Sequence, residues 1–275
     1  MGQIDFLVIG HLCKDLTPDG YRLGGTVTYA AITARNLGLR AGVLTRCGAD
    51  VELGDSLAGV DVRRLPSAIT TTFENLYRAG RRTQYVRAVS EPICAGDVPA
   101  EWRAPAIVLL GPLAQELDAG LLSAFPDSLV GVAPQGWMRQ WDAAGRVSNR
   151  PRLWAPAAGP RVVILSEEDL AGDTAYLEEL VRHVPIVALT AGRRGSAVYV
   201  DGRRADAPPR PACEVDPTGA GDVYAAAFLI RLHEAGDPLT AARFANVVAS
   251  FSVEGVGQAG IPSRREVMRW LETPA

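Results

Sequence analysis

Lysine is nearly absent: Lys14 is the only one among 28 basic residues. A Walker-type phosphate loop requires G-x-x-x-x-G-K-[ST], and Lys14 follows "HLC", so that phosphate site is excluded. Any phosphate charge must then be met by arginine, helix N-termini or metal. Cysteine is sparse and scattered. Cys13, Cys47, Cys94 and Cys213 form no C-x-x-C pair and suggest a reducing, cytoplasmic setting. The histidines, His11, His183 and His233, show no metal-ligand spacing. No apolar run approaches the ~18 residues of a membrane helix, so no membrane partner is expected. The start, "MGQIDFLVIGH", has no basic n-region and reads as a first strand, not a signal peptide. A formal charge of −3 argues against a nucleic-acid partner. With 48% hydrophobic and 21% charged residues, the composition is that of an ordinary folded protein.

What is present alternates between strand-like and helix-like patterns. "IDFLVIG" (4–10), "AGVLTRCG" (41–48), "AIVLLG" (106–111), "SLVGVAP" (128–134) and "RVVILS" (161–166) are short apolar runs of the kind buried on both faces of a sheet. "TVTYAAITARNLG" (26–38) has helical spacing and closes on Gly38. Strand, helix, strand in that order predicts right-handed βαβ units and a parallel sheet. A helix is expected near 116–124. Ser166 reads as the N-cap of another, with the acids of "EEDL" in its first turn. Further helices are expected at 219–235, 238–254 and 263–271. "PIVALTAGRRGSAVYVDG" (185–202) predicts two strands joined at "TAGRRG". "ITTTFENLYRAGRRTQYVRAVSEP" (69–92) is rich in Thr, Tyr, Phe and Val around a polar turn, and predicts a β-hairpin lying over the sheet. Residues 1–275 thus read as one α/β domain with a small β excursion.

"DPTGAGD" (216–222) enters the apolar run "VYAAAFLIRL". Gly219 and Gly221 let backbone approach a ligand closely. The helix that follows leaves free N–H groups and a positive dipole end in front of Gly219, Ala220 and Gly221. That is an anion hole made without lysine. Asp222, in the first helical turn, stands where a general base beside a bound phosphate would act. The alternative is a glycine-rich turn in which Asp222 only complements the helix dipole.

The motif D-x-T-G-A-G-D before an Ala-rich helix resembles the C-terminal signature of the ribokinase-like (phosphofructokinase B) sugar kinases, and the resemblance runs along most of the chain. "GHLCKD" (10–15) is similar to the family's G-x-x-x-x-D, implying that Asp15 holds acceptor hydroxyls. "LGGTVTYAA" (23–31) resembles its di-glycine, at Gly24 and Gly25. "TAGRRG" (190–195) resembles T-x-G-x-x-G, placing Thr190, Gly192 and Gly195 at a nucleotide. "FANVVAS" (244–250) resembles the late helix whose Asn, here Asn246, lies by the adenine. The resemblance implies a ribokinase-like three-layer α/β/α domain with a small β lid, and ATP-dependent phosphorylation of a hydroxyl on a sugar or related polyol. It also implies Mg2+ and allows a monovalent cation.

The departures have consequences. Tyr29 stands where the family carries an Asn after the di-glycine, which changes how the acceptor is read. The family's N-x-x-E becomes Ser166–Glu167–Glu168–Asp169, leaving Ser166 at the nucleotide and Asp169 to meet metal through water. Ala133 replaces a frequent Asp. Only eight residues separate Asp15 from Gly24, so the lid is expected to be reduced to the 69–92 hairpin. A reduced lid favours a monomer, or a dimer built on another surface. Arg81 and Arg82 are candidates to close over an acceptor. "GHLCKD" with "TTFENLY" resembles inositol-kinase-like members, so a cyclitol such as myo-inositol, or a nucleoside, stays open as acceptor. A ligand-binding regulator without turnover is a further alternative, motivated by the altered Ser166–Asp169 motif.

Overall fold

The unbroken run "FLVI" at Phe6–Ile9 needs burial on both faces. A computed structural model, which describes residues 3–78, 81–154 and 160–272, provides it. Strands β1 (Phe6–Ile9), β2 (Cys13–Thr17) and β3 (Gly20–Gly24) lead into helix α1 (Thr26–Asn36). Then come β4 (Ala41–Gly48), β5 (Asp61–Ser67), β6 (Thr71–Arg78), β7 (Arg81–Ala88), β8 (Ile107–Leu110) and β9 (Leu129–Val132). A short hairpin, β10 (Arg139–Trp141) and β11 (Val147–Asn149), precedes β12 (Val162–Ser166) and α2 (Thr174–His183). The chain continues through β13 (Ile186–Thr190), β14 (Ser196–Val200) and β15 (Arg203–Ala207) to α3 (Ala220–Ala235), α4 (Pro238–Ser252) and α5 (Arg264–Glu272).

Nine strands form the main sheet in the order β15-β14-β13-β12-β9-β8-β1-β4-β5. Pairings are parallel from β13 to β5, while β14 and β15 add antiparallel. Alternate residues of one strand enter different cores, as a period of two requires. Phe6 and Val8 pack with α1, α3 and α4, whereas Leu7 and Ile9 pack with Tyr176 and Leu180 of α2 and with Trp137 and Trp154. The tryptophans stack at 5.6 Å as packing residues. Helix α3 lies between α1 and α4. Its buried run from Val223 to Ile230 explains why its sequence is apolar all round and has no clear polar face. Among the described residues no helix is long and apolar enough to cross a membrane, and all four cysteines are free.

A second sheet, ordered β3-β2-β6-β7, forms the lid, and here one expectation is corrected. The 69–92 hairpin is present as β6 and β7, but residues 13–24 fold into a hairpin of their own, and β2 pairs with β6 in parallel. The eight residues between Asp15 and Gly24 suffice because Thr17 and Gly20 are directly paired across a two-residue turn. The lid therefore has four strands, and its size gives no reason to favour a monomer. The side chains of Arg81 and Arg82 lie outside the described residues.

Two further expectations are corrected locally. Residues 116–124 form only a short 3-10 segment, Ala119–Ser123, capped by Asp118 accepting from Gly120 N. Ser166 caps no helix: "EEDL" forms turns, and α2 begins at Thr174 with Asp173 accepting from Tyr176 N. Gly172 supports that delay, with φ +84° between the turns and the helix.

The lid is rooted by a buried polar knot. The Glu116 carboxylate accepts from His11 N at 3.1 Å, Leu113 N at 2.9 Å and Ala114 N at 2.7 Å. The His11 ring is fully buried, with Nε2 2.9 Å from the Glu91 carbonyl and Nδ1 2.7 Å from Thr71 Oγ1. A carbonyl can only accept, so Nε2 carries the proton and Nδ1 accepts from the threonine. Burial lowers the His11 pKa, chiefly by desolvation and against the nearby Glu116 charge, which keeps the ring neutral. His11 thus belongs to the lid's attachment.

Candidate active site

Asp222 lies in the first turn of α3, where its carboxylate complements the helix dipole. The Thr26 hydroxyl, at the start of α1, donates to Asp222 Oδ1 at 2.7 Å. Burial pushes the Asp222 carboxyl up to about 6. The Thr26 hydrogen bond and the Arg139 charge oppose that rise, while Asp169 and Asp15 add to it. These interactions bring together groups from β2, α1, β10, the turn after β12 and α3. The carboxyl is therefore poised near neutrality, as proton transfer requires.

In front of it, Gly219 adopts φ +78° as the N-cap of α3. A Cβ at Gly219 would stand 2.2 Å from Cδ1 of Tyr29, so a side chain is barred by both conformation and space. Gly221 differs: a Cβ there would meet nothing within 4 Å, leaving the helix entrance open. Ala220 N already donates to Pro217 O at 3.2 Å, and Val223 N closes the first intrahelical bond to Gly219 O at 2.9 Å. The N–H groups of Gly221 and Asp222, which precede that first bond, are the natural anion donors. Of the donors expected at Gly219, Ala220 and Gly221, the Ala220 N–H is therefore already engaged.

Asp15 reaches the site from β2. A Cβ at Gly24 would come within 2.2 Å of Asp15 Oδ2, so the di-glycine makes room for this carboxylate. Gly25 is the N-cap of α1. Tyr29 is 5% exposed, with its ring against Gly219; it shapes the anion hole from behind, and its burial does not fit the expected contact with an acceptor.

Ser166 and Thr190 are partners across β12 and β13 at the carboxyl edge of the sheet, where ligands of open α/β sheets bind. Gly192 and Gly195 form the adjoining turn, closed by Ala191 N donating to Gly195 O at 2.8 Å. Asp169 Oδ2 accepts from both Ser166 N and Ser166 Oγ at 2.8 Å, and Gln135 Nε2 donates to Oδ1 at 3.4 Å. Asn246 is buried, and its amide donates to Ala207 O at 2.8 Å and Pro208 O at 3.1 Å. Its amide nitrogen thus secures the end of β15.

Sequence reading missed three residues. Arg139, 7% exposed, places its guanidinium carbon 5.5 Å from the Phe73 ring centroid. Asn75 and Gln84 are cross-strand partners in the lid, with Gln84 Nε2 donating to Asn75 Oδ1 at 3.1 Å. Asp15 pairs with Phe73 across β2 and β6, and Asn75 lies two residues beyond, so all share one lid face. The strand alternation in "TTFENLY" could have put Asn75 on the Phe73 face; nothing in "QGWMRQW" marked Arg139.

Among the described residues no group of three His, Cys, Asp or Glu side chains is arranged to hold a metal. Mg2+ does not require one, because it usually keeps several waters and binds through one or two carboxylates plus substrate phosphates.

Residues 159–264 match the family model described as pfkB family carbohydrate kinase. A nucleoside kinase of Methanothermobacter thermautotrophicus is 45% identical over 86 residues, a match covering 30% of this chain and only 27% of that relative's length. An inositol 3-kinase of Oryza sativa subsp. japonica is 27% identical over 290 residues, covering 96% of this chain and 71% of the relative. Among solved structures, a pyrophosphate-dependent kinase in the ribokinase family, complexed with a pyrophosphate analog and myo-inositol, superposes with a TM-score of 0.76 at 23% identity. That superposition covers 96% of this chain and 99% of the other, and shows a shared fold. The later part of the chain thus matches the pfkB carbohydrate kinase family by sequence, and the chain as a whole shares the fold of ribokinase-family kinases.

Proposed function

We propose that this chain, acting as one kinase domain, transfers the terminal phosphoryl group of ATP to a hydroxyl of a neutral sugar or related polyol. The observation that carries this is Asp222: a carboxyl poised near pH 6 at the open N-terminus of α3, hydrogen-bonded to Thr26 and beside Asp15. The acceptor O–H gives its proton to Asp222, and its oxygen forms the new P–O bond. The bond from the transferred phosphorus to the bridging oxygen breaks, and ADP leaves. The N–H groups at the start of α3 stabilise charge on the moving phosphoryl group. Asp15 and the backbone at Gly24 and Gly25 orient the acceptor. Ser166, Thr190, Gly192 and Gly195 border the donor. Bound Mg2+ would neutralise phosphate charge, with Asp169 as the carboxylate that meets it through water.

Within the polyol class, a cyclitol is supported by the rice inositol 3-kinase and by the neighbour solved with myo-inositol. The amides of Asn75 and Gln84, which both donate and accept, suit neutral hydroxyls. The pyrophosphate-dependent neighbour makes the donor a second variable. The test is a matrix of acceptors (ribose, fructose, myo-inositol, adenosine, cytidine) against ATP and pyrophosphate, with products read by 31P NMR. A phosphomonoester from ATP and a neutral polyol is expected. Activity confined to sugar phosphates would overturn the neutral acceptor, and a pyrophosphate requirement would overturn ATP. Binding with no turnover on any pair would favour a ligand-binding regulator.

A further inference from the structure

Strand β7 is an edge of the lid sheet, and an edge strand offers a row of unpaired N–H and C=O groups. The turn between β10 and β11, residues 142–146, takes up part of that row. Val86 N donates to Gly145 O at 2.8 Å, and Tyr85 and Arg146 form an antiparallel bridge. Arg87 adds a side-chain contact: its Nη1 donates to Ala144 O at 3.2 Å, while Nε and Nη2 donate to Glu74 Oε2 at 2.8 and 2.5 Å. The turn holds its own shape. Asp142 Oδ1 accepts from Ala144 N at 3.0 Å and from Arg146 N at 2.9 Å. Gly145 has φ +83°, and a Cβ there would stand 2.3 Å from Val86 O. Backbone reaches backbone at this point only because residue 145 has no side chain.

The rest of the hairpin reaches the other way. Trp141 and Val147 pack against a cluster that joins Cys13, Phe73 and Val86 of the lid to Leu113 and Ala114. At the root, Arg150 N donates to Met138 O at 2.6 Å, and Asn149 Nδ2 donates to Glu168 O at 2.9 Å. Glu168 belongs to the turn in which Asp169 accepts from Ser166. Gln135, just ahead of β10, donates to the same Asp169 at 3.4 Å. One short hairpin therefore joins the strand that carries Gln84 to the turn that carries Asp169. We propose that the β10–β11 hairpin clasps the lid, and that Gly145 and Asn149 are positioning residues at its two ends. Through them the lid face of Asp15, Asn75 and Gln84 keeps a fixed relation to the turn Ser166–Asp169. The inference rests on the reading of that face as the acceptor's and of that turn as the donor's.

The test is Gly145→Ala, whose methyl group would meet Val86 O at 2.3 Å and must push the turn off β7. Hydrogen exchange of the Val86 amide, followed by 15N NMR, should become at least about tenfold faster. Steady-state kinetics use ATP with myo-inositol, or with whichever neutral polyol of the panel is turned over. The KM for the polyol should rise about tenfold, with the KM for ATP within about twofold. A merely structural loss would lower the folded fraction, checked by circular dichroism, and leave both KM values unchanged. Asp142→Ala loosens the turn from within and serves if Gly145→Ala does not fold. Asn149→Ala frees the other end, and should raise the KM for ATP about threefold while the Val86 amide stays protected. A Val86 amide that exchanges freely in wild type, or as slowly in the folded turn variants as in wild type, overturns the clasp. A freed β7 with the polyol KM unchanged overturns the positioning role of Gly145, and an unchanged ATP KM in Asn149→Ala overturns that of Asn149. Exchange needs no turnover, so the clasp is decided even if the protein proves inactive; the positioning roles then fall with the kinase reading.

Discussion

Replacing Asp222 with Asn should abolish most activity and make the protein more stable, and the two effects have one cause. The carboxyl ordinarily titrates near 3.8 and is held at about 6 in the folded protein. The folded state therefore binds this proton more tightly than the unfolded chain does. Stabilisation from the group is complete below about pH 3.8 and is lost as pH rises through about 6. At about 1.4 kcal/mol per pH unit, the difference puts the cost of an ionised Asp222 at neutral pH near 3 kcal/mol. Because the carboxyl is partly open to the crevice, solvent screening reduces this to about 1–3 kcal/mol. Asparagine keeps an oxygen for the Thr26 hydroxyl and carries no charge. Asp222→Asn should then melt roughly 3–10 °C higher than wild type above pH 7. The gain should shrink between pH 6 and 4 and vanish below. Over the same range kcat should fall at least about a hundredfold, the usual contribution of a general base, while the KM for ATP stays within about twofold. Scanning calorimetry from pH 4 to 8 and steady-state kinetics measure both. A folded variant with near wild-type kcat would remove Asp222 from the chemistry, and a melting difference that does not depend on pH would refute the burial argument.

Four other outcomes are expected. Thr26→Val removes the 2.7 Å hydrogen bond to Asp222, and losing a bond to a charged group worth about 1.5–3 kcal/mol should raise the acid limb of the pH–rate profile by about one to two units. Gly219→Ala should lower stability by at least about 2 kcal/mol, from the left-handed backbone together with overlap on Tyr29. Gly221→Ala, whose added methyl meets nothing, should melt no lower than wild type by calorimetry and yet bind donor roughly tenfold more weakly by isothermal titration. Glu116→Gln turns an amide donor toward backbone donors at His11, Leu113 or Ala114, and should cost about 2–3 kcal/mol in urea unfolding.

Legibility in the sequence followed the length scale of the interactions. Buried parallel strands were readable because both faces are covered, so runs such as "FLVI" and "VVILS" stay apolar throughout. Helices α3 and α4 were readable because their boundaries carry local signals, Gly219 before one and Asp237–Pro238 before the other. The strand pair β2 and β3 was not. "CKDLT" and "GYRLG" are half-polar, and their order comes from pairing with β6, more than fifty residues on. The contacts of Asn246 were illegible for a related reason: its motif marked a place near the donor, whereas the carbonyls at 207 and 208 that accept from its amide lie nearly forty residues earlier.

The departure at Tyr29 shows how distant parts of the chain make one site. Read along the sequence, an aromatic ring after the di-glycine implies a change in what the acceptor pocket recognises. In the fold, α1 starts beside α3, so Thr26 meets Asp222 and, one turn later, Tyr29 meets Gly219. The same helix face thus orients the proposed base and backs the glycine that opens the anion hole. A smaller side chain at 29 would leave Gly219 without that support and free the loop 216–221 to move. Its effect should therefore appear first in donor binding, with acceptor selectivity left to the lid face that carries Asp15, Asn75 and Gln84. That division follows from packing between residues nearly two hundred positions apart, which no local motif records.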